Sequence, residues 1–93
     1  VEKKHLYEIS KQLKRCGTSI GAQIFESEHA ESKADFIHKL SISQKEANET
    51  LYWIEIIYKL KAVDLGILEN YKANALELKK RLTSILKKLK NIP

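Results

Sequence analysis

An all-α fold, an antiparallel up-and-down helical bundle, is predicted by three observations. Glycine and proline are scarce, at three and one residues in a chain of 93, which leaves few places for hairpins or strand turns. Apolar residues recur at steps of three and four through three long segments, the spacing that aligns side chains on one face of a helix. Short polar breaks separate the segments, as between antiparallel neighbours in a bundle. At this length the chain makes a single domain over residues 1–93, just above the ~70–80 residues below which a core is rarely self-sufficient.

The first helix is predicted at about residues 3–27 from the stripe Leu6, Ile9, Leu13, Cys16, Ile20 and Gln23 or Ile24. Gly17 and Gly21 interrupt it at a cost of roughly 1 kcal/mol each relative to alanine. Such glycines predict a place where another backbone approaches closely. The chain has no initiator methionine and begins almost inside this helix, so a missing N-terminal segment is expected.

An acidic stretch, Glu26 to Glu31, leads to Ser32, which reads as an N-cap with Asp35 three residues on to answer the Ser32 amide. The second helix is predicted at about 33–63, along Phe36/Ile37, Leu40, Ser43/Gln44, Ala47, Thr50/Leu51, Ile54 and Ile57/Tyr58. It should span roughly 45 Å. The small Ser43, Ala47 and Thr50 would let a neighbour pack closely. Lys39, Lys45, Glu46 and Glu49 mark a polar, solvated face. Farther along, Trp53, Ile56 and Leu60, with Tyr52 beside them, are apolar too; the first three point away from the Ala47–Ile54 seam, and one core cannot cover both faces at once. Either another helix of the chain covers them or they form a subunit interface, where aromatic residues are enriched.

Asp64-Leu65-Gly66 reads as a break, with Gly66 suited to a left-handed helix end. The third helix is predicted at about 67–90, on Tyr71, Ala75, Leu78, Leu82, Ile85 and Leu89.

The net charge of +5 is unevenly spread. Residues 1–71 hold 10 basic and 11 acidic side chains, whereas residues 72–93 hold 7 basic ones and only Glu77. Lys11, Lys14 and Arg15 on the first helix, with Lys72, Lys79, Lys80, Arg81, Lys87 and Lys88 on the third, are the candidate contacts for RNA or DNA. Each phosphate neutralised would release counterions and make binding salt-sensitive. The same lysines would also keep a helical surface soluble. No aromatic residue is interleaved among the third-helix lysines to stack on bases.

Enzyme chemistry finds little to use. Cys16, the sole cysteine, occupies the apolar stripe, where thiols are inert, and one cysteine makes neither an internal disulfide nor a Cys-based zinc site. Asp35 and His38 have the spacing of a surface ion pair, and a di-iron bundle would need a second such pair and two inward glutamates. Neither a catalytic residue nor a metal ligand set nor a cofactor site is predicted. No apolar run reaches the ~18 residues of a membrane span, and the first residues lack the apolar stretch of a signal peptide. A cytoplasmic location is expected.

The string Gln12-Leu13-Lys14-Arg15-Cys16-Gly17-Thr18-Ser19-Ile20-Gly21-Ala22-Gln23-Ile24, then Ser32-Lys33-Ala34-Asp35-Phe36-Ile37-His38-Lys39-Leu40 and Lys45-Glu46-Ala47-Asn48-Glu49-Thr50-Leu51-Tyr52-Trp53, resembles the four-helix bundle family of the 23S rRNA intervening-sequence protein. That family's pattern has a basic pair, Ser-Ile-x-x-Asn-Ile-Ala-Glu, a Ser-capped helix with Phe, and Lys-Glu-Ala-x-Glu-Thr. Lys14 and Arg15 match its basic pair and Ser19 its serine. Gln23 replaces its asparagine, Phe25 an alanine, and Ser27 a small glycine or alanine. The resemblance implies a fourth helix ahead of Leu6 and ring-shaped homopentamers. It extends to the accessory variability determinant proteins of diversity-generating retroelements, basic pentamers that engage nucleic acid and a reverse transcriptase. Two functions are therefore expected to compete: a noncatalytic oligomer that binds RNA or DNA, and an oligomeric adaptor that recruits a protein through its apolar surface.

Overall fold

The computed structural model describes residues 3–60 and 65–90, with side chains from Leu6 and Gly66 onward in the two stretches. Three helices make it up: α1 (Lys3–Ser27), α2 (Lys33–Leu60) and α3 (Leu65–Leu89). The predicted end of the second helix near Val63, and Asp64 of the predicted break, lie outside the described residues.

Helix α2 is the centre of the molecule and both neighbours run antiparallel to it. The Ser43 hydroxyl donates to the Ile20 carbonyl at 3.2 Å, so α1 approaches α2 closely where the sequence places small residues. Gln44 Nε2 donates to Thr83 Oγ1 at 2.7 Å and ties α2 to α3. The backbones of α1 and α3 stay apart: among the described residues no Cα atom of one lies within 8 Å of the other. This is the relation of diagonal helices in a bundle, and it gives a body of 46 × 24 × 16 Å.

The core has two parts, set by where α2 presents its large apolar residues. Ile54 and Ile57 pack with Leu68 and Ala75 of α3, and Ile9 and Leu13 of α1 lie against them. Toward the other end Leu40 packs with Leu82 and Leu86, flanked by Phe36, Ile37, Leu78 and Leu89. Between them Ser43 and Ala47 are fully buried beside Cys16 and Ile20.

The predicted stripes of α1 and α2 face inward, apart from Tyr58, which is exposed. The stripe of α3 is rotated. Leu68, Ala75, Leu82 and Leu86 form its buried line, while the predicted Tyr71 and Ile85 are 60% and 43% exposed. Packing against α2 alone selects one edge of a broad apolar arc, and Tyr71 falls on the other edge, where it lines one cavity with Leu13 of α1.

Two glycine expectations are corrected. Gly66 does not end a helix: α3 begins at Leu65, because an early start seats Leu68 on Ile54 and Ile57. Gly17 and Gly21 accommodate no close neighbour, since a Cβ at either would meet nothing within 4 Å.

Ser32 caps α2 as expected, its Oγ accepting from the Asp35 amide at 3.0 Å. The reciprocal bond closes one residue earlier than the box predicts, from the Glu31 amide to Asp35 Oδ2 at 3.2 Å. Asp35 pairs with Lys39 at 3.7 Å, and Glu26 of α1 reaches the same lysine at 3.6 Å. The predicted Asp35–His38 pair is not formed, because Lys39 turns toward α1 while His38 stays exposed on the outer side of α2.

Candidate nucleic-acid interface

The nine predicted contacts separate into groups, and the two arginines behave unlike the lysines. Helix α1 turns Arg15 toward α2, where Nη2 donates to Glu49 Oε1 at 2.5 Å and to Cys16 Sγ at 3.3 Å. Nη1 lies 3.5 Å from Glu46 Oε2, and Nε donates to Gln12 at 3.0 Å. Glu46 is only 14% exposed at its side chain, and its Oε2 is buried without a hydrogen bond. The expectation that Glu46 and Glu49 lie on a solvated face is therefore corrected. Because α2 is flanked on two sides, its buried arc is wider than one stripe, and these carboxylates fall within it at the α1 seam.

The thiol and the two carboxylates bring ligand-type atoms within 4.8 Å of one another. The cation seated there is the Arg15 guanidinium, which hydrogen-bonds Glu49 and stands in ion-pair range of Glu46 through a fork geometry that lysine lacks. Desolvation and the neighbouring Glu49 charge push the Cys16 thiol up to about 12. At that value the thiolate is scarcely populated near neutrality, so Cys16 is no nucleophile. Glu49 is held below the ordinary carboxylate value, first by the hydrogen bond it accepts from Trp53 Nε1, next by one from the Cys16 thiol, and then by the charges of Arg15 and Lys45. Arg81 is engaged too, by Glu77 one turn earlier at 2.8 Å.

The lysines are unpaired with carboxylates among the described residues. On α3, Lys79, Lys80 and Lys87 line one shallow concavity of about 490 Å³ with Leu76, Thr83 and Ser84. Lys88 and Arg81 fall on other sides of the helix, and Lys72 is half-buried. On α1, Lys11, Lys14 and Arg15 border a second concavity of about 450 Å³ with Thr18, Ser19 and Ala22. The two basic surfaces lie on helices whose described Cα atoms stay more than 8 Å apart and border different concavities, so the nine residues do not converge on one site.

The predicted oligomer surface is mixed. Tyr52 is 59% exposed, whereas Trp53, Ile56 and Leu60 are half-buried. The Trp53 ring meets Tyr52 edge-on, with centroids 5.2 Å apart, and its indole N–H points back to Glu49 at 3.4 Å.

Sequence reasoning identified the lysines but missed two positioning contacts. The Arg15–Glu46–Glu49 clamp had a signal in the two carboxylates three residues apart, which share a helix face. The Gln44–Thr83 bond had no signal, since it depends on the register of α3 against α2.

Comparison with known proteins places this geometry. The sequence model of the 23S rRNA-intervening sequence protein family matches residues 1–84. No curated protein matches the chain. A crystal structure of a protein of unknown function from the S23 ribosomal protein family of Bacteroides thetaiotaomicron is 48% identical. It aligns over 85% of this chain and 73% of its own, with a TM-score of 0.82.

Proposed function

The chain belongs to the 23S rRNA-intervening sequence protein family, and from that premise we propose that it is a noncatalytic, homo-oligomeric helical protein that binds RNA or DNA through a basic surface. The observation that carries this reading is the division of its cations: both predicted arginine contacts are engaged by carboxylates, while the outer lysines of α1 and α3 are not. Unpaired lysines on convex helices are suited to phosphate, because each contact releases condensed counterions and needs no fixed directionality. The pentamer implied by the family resemblance would repeat the surface around an axis and multiply its affinity without new contacts.

A second reading, an oligomeric adaptor for a protein such as a reverse transcriptase, is favoured by the exposed Tyr52 beside Trp53. Aromatic residues of this kind anchor interfaces. No helix among the described residues is long and apolar enough to cross a membrane.

Light scattering at low and high salt, with and without a short structured RNA, tests the first reading. An oligomer that gains mass with RNA at low salt and loses it at high salt supports it. An oligomer indifferent to RNA at both salts refutes it in favour of the adaptor, and a monomer refutes the assembly.

A further inference from the structure

The two basic surfaces are not equivalent. On α1, Arg15 is committed to Glu46 and Glu49, and the Thr18 hydroxyl donates to the Lys14 carbonyl at 2.7 Å. What remains beside the concavity of Thr18, Ser19 and Ala22 is Lys11 and Lys14. On α3 six basic residues stand against Glu69 and Glu77, Glu77 is held by Arg81, and three of the lysines share one concavity.

We propose that nucleic-acid contact is confined to the α3 face of Lys79, Lys80 and Lys87, which takes the sugar–phosphate backbone of RNA or DNA and leaves the α1 face unused. This inference rests on the nucleic-acid reading above. Lys80 and Lys87 are seven residues apart, about 10 Å along the helix. That length matches the rise of about three nucleotides at ~3.4 Å each along one strand. Thr83 accepts from Gln44 at 2.7 Å, so its own O–H is left to donate outward, and Ser84 beside it is exposed. The concavity thus offers three cations and two hydroxyls, a donor set suited to phosphate oxygens. It contains no aromatic ring, so the contact tracks the backbone and does not read bases.

The test uses fluorescence anisotropy with a labelled RNA hairpin and a duplex DNA of equal length, between about 50 and 200 mM salt. A triple variant, Lys79→Ala, Lys80→Ala and Lys87→Ala, is compared with a double variant, Lys11→Ala and Lys14→Ala. Alanine maintains the helix, which circular dichroism checks. For duplex DNA the triple variant should flatten the slope of log K against log salt by about 2.7 per contacting protomer and weaken binding on the order of 10²-fold at 0.1 M salt. The double variant should change neither. If the wild type binds but the α1 variant loses the slope, or the α3 variant keeps it, the face is overturned and the nucleic-acid reading survives. If the wild type binds at no salt, both fall. Tighter binding to polyglutamate of equal charge would assign the face to an acidic protein and overturn the nucleic acid as its occupant.

Discussion

Replacing Cys16 by alanine removes one ionisable group from the seam between α1 and α2, and the pH dependence of stability should register its loss. The thiol is fully buried, and its pKa rises from 9.0 to about 12. The unfolded thiol therefore ionises first as pH rises. Above about pH 9 the native state holds a proton that the unfolded state has released, so stability falls with pH, by up to about 1.4 kcal/mol per unit, until the folded thiol itself ionises near 12. Other groups titrate in the same range, which is why the comparison is a difference: urea melts of wild type and Cys16→Ala at pH 8, 9 and 10, with one curve subtracted from the other. The subtraction should be flat below pH 9 and slope against the wild type above it. The same shift lowers the thiolate fraction at pH 8 by about 10³. Disulfide exchange with an aromatic reagent should thus be at least about tenfold slower in the folded protein than in denaturant, the loss of thiolate outweighing the greater nucleophilicity of a less acidic thiol. Parallel pH curves, together with a folded-state reaction as fast as that of the unfolded chain, would show that Cys16 is not in the desolvated seam beside Glu49.

Other positions give independent checks. Ile54→Ala, at the best-buried large side chain, should cost about 2–5 kcal/mol in a urea melt; a cost below 1 kcal/mol would mean that the seam collapses around the gap. Ser32→Ala removes the cap on the Asp35 amide and should cost about 1 kcal/mol, with Ser32→Gly milder; equal stability of all three would discount the cap. Gly17→Ala and Gly21→Ala should each raise stability by up to about 1 kcal/mol, since a Cβ meets open space; lowered stability or a loss of oligomer mass would show that another molecule packs on that face. Trp53→Phe removes the foremost cause of the depressed Glu49 pKa, so carbon-detected NMR should find Glu49 titrating at higher pH. Because that pKa is depressed in the fold, the stabilisation it represents is present above the ordinary glutamate range and is lost as pH falls through the folded value. An unchanged Glu49 titration would remove the indole from the account.

Periodicity was enough for α2 because its stripe is buried from two sides, and a helix packed twice tolerates error in the choice of face. The same circumstance misled the reading of Glu46 and Glu49. They look like the polar side of a helix with one neighbour, but α2 has two. Helix α3 shows the converse. Its apolar arc is broad enough to include both the Tyr71–Ile85 edge and the Leu68–Leu86 edge, and only contact with α2 decides between them. Capping was legible because Ser32 and its partner amide are local. Arg15 was misjudged because a basic pair in a sequence does not reveal which member faces a neighbour. Helix geometry separates Lys14 from Arg15 by about 100° of rotation, which sends one outward and the other to the α1–α2 seam.

That separation bears on whether the two functional readings exclude each other. Gln44, which bonds Thr83 in the lysine concavity, and Tyr52 are eight residues apart on α2, about 12 Å along its axis. Sites at this distance without a shared partner act additively. Assembly through Tyr52 and phosphate contact through Lys79, Lys80 and Lys87 can then operate in one molecule. Their separate losses should leave different signatures. Tyr52→Ala should reduce oligomer mass and, by removing multivalency, weaken binding to a long RNA, while the salt slope per bound protomer stays as in wild type. The triple lysine variant should do the reverse, keeping the mass and losing the slope. If Tyr52→Ala instead flattened the salt slope without changing the mass, the tyrosine would belong to the nucleic-acid surface, and the division of labour along α2 would be wrong.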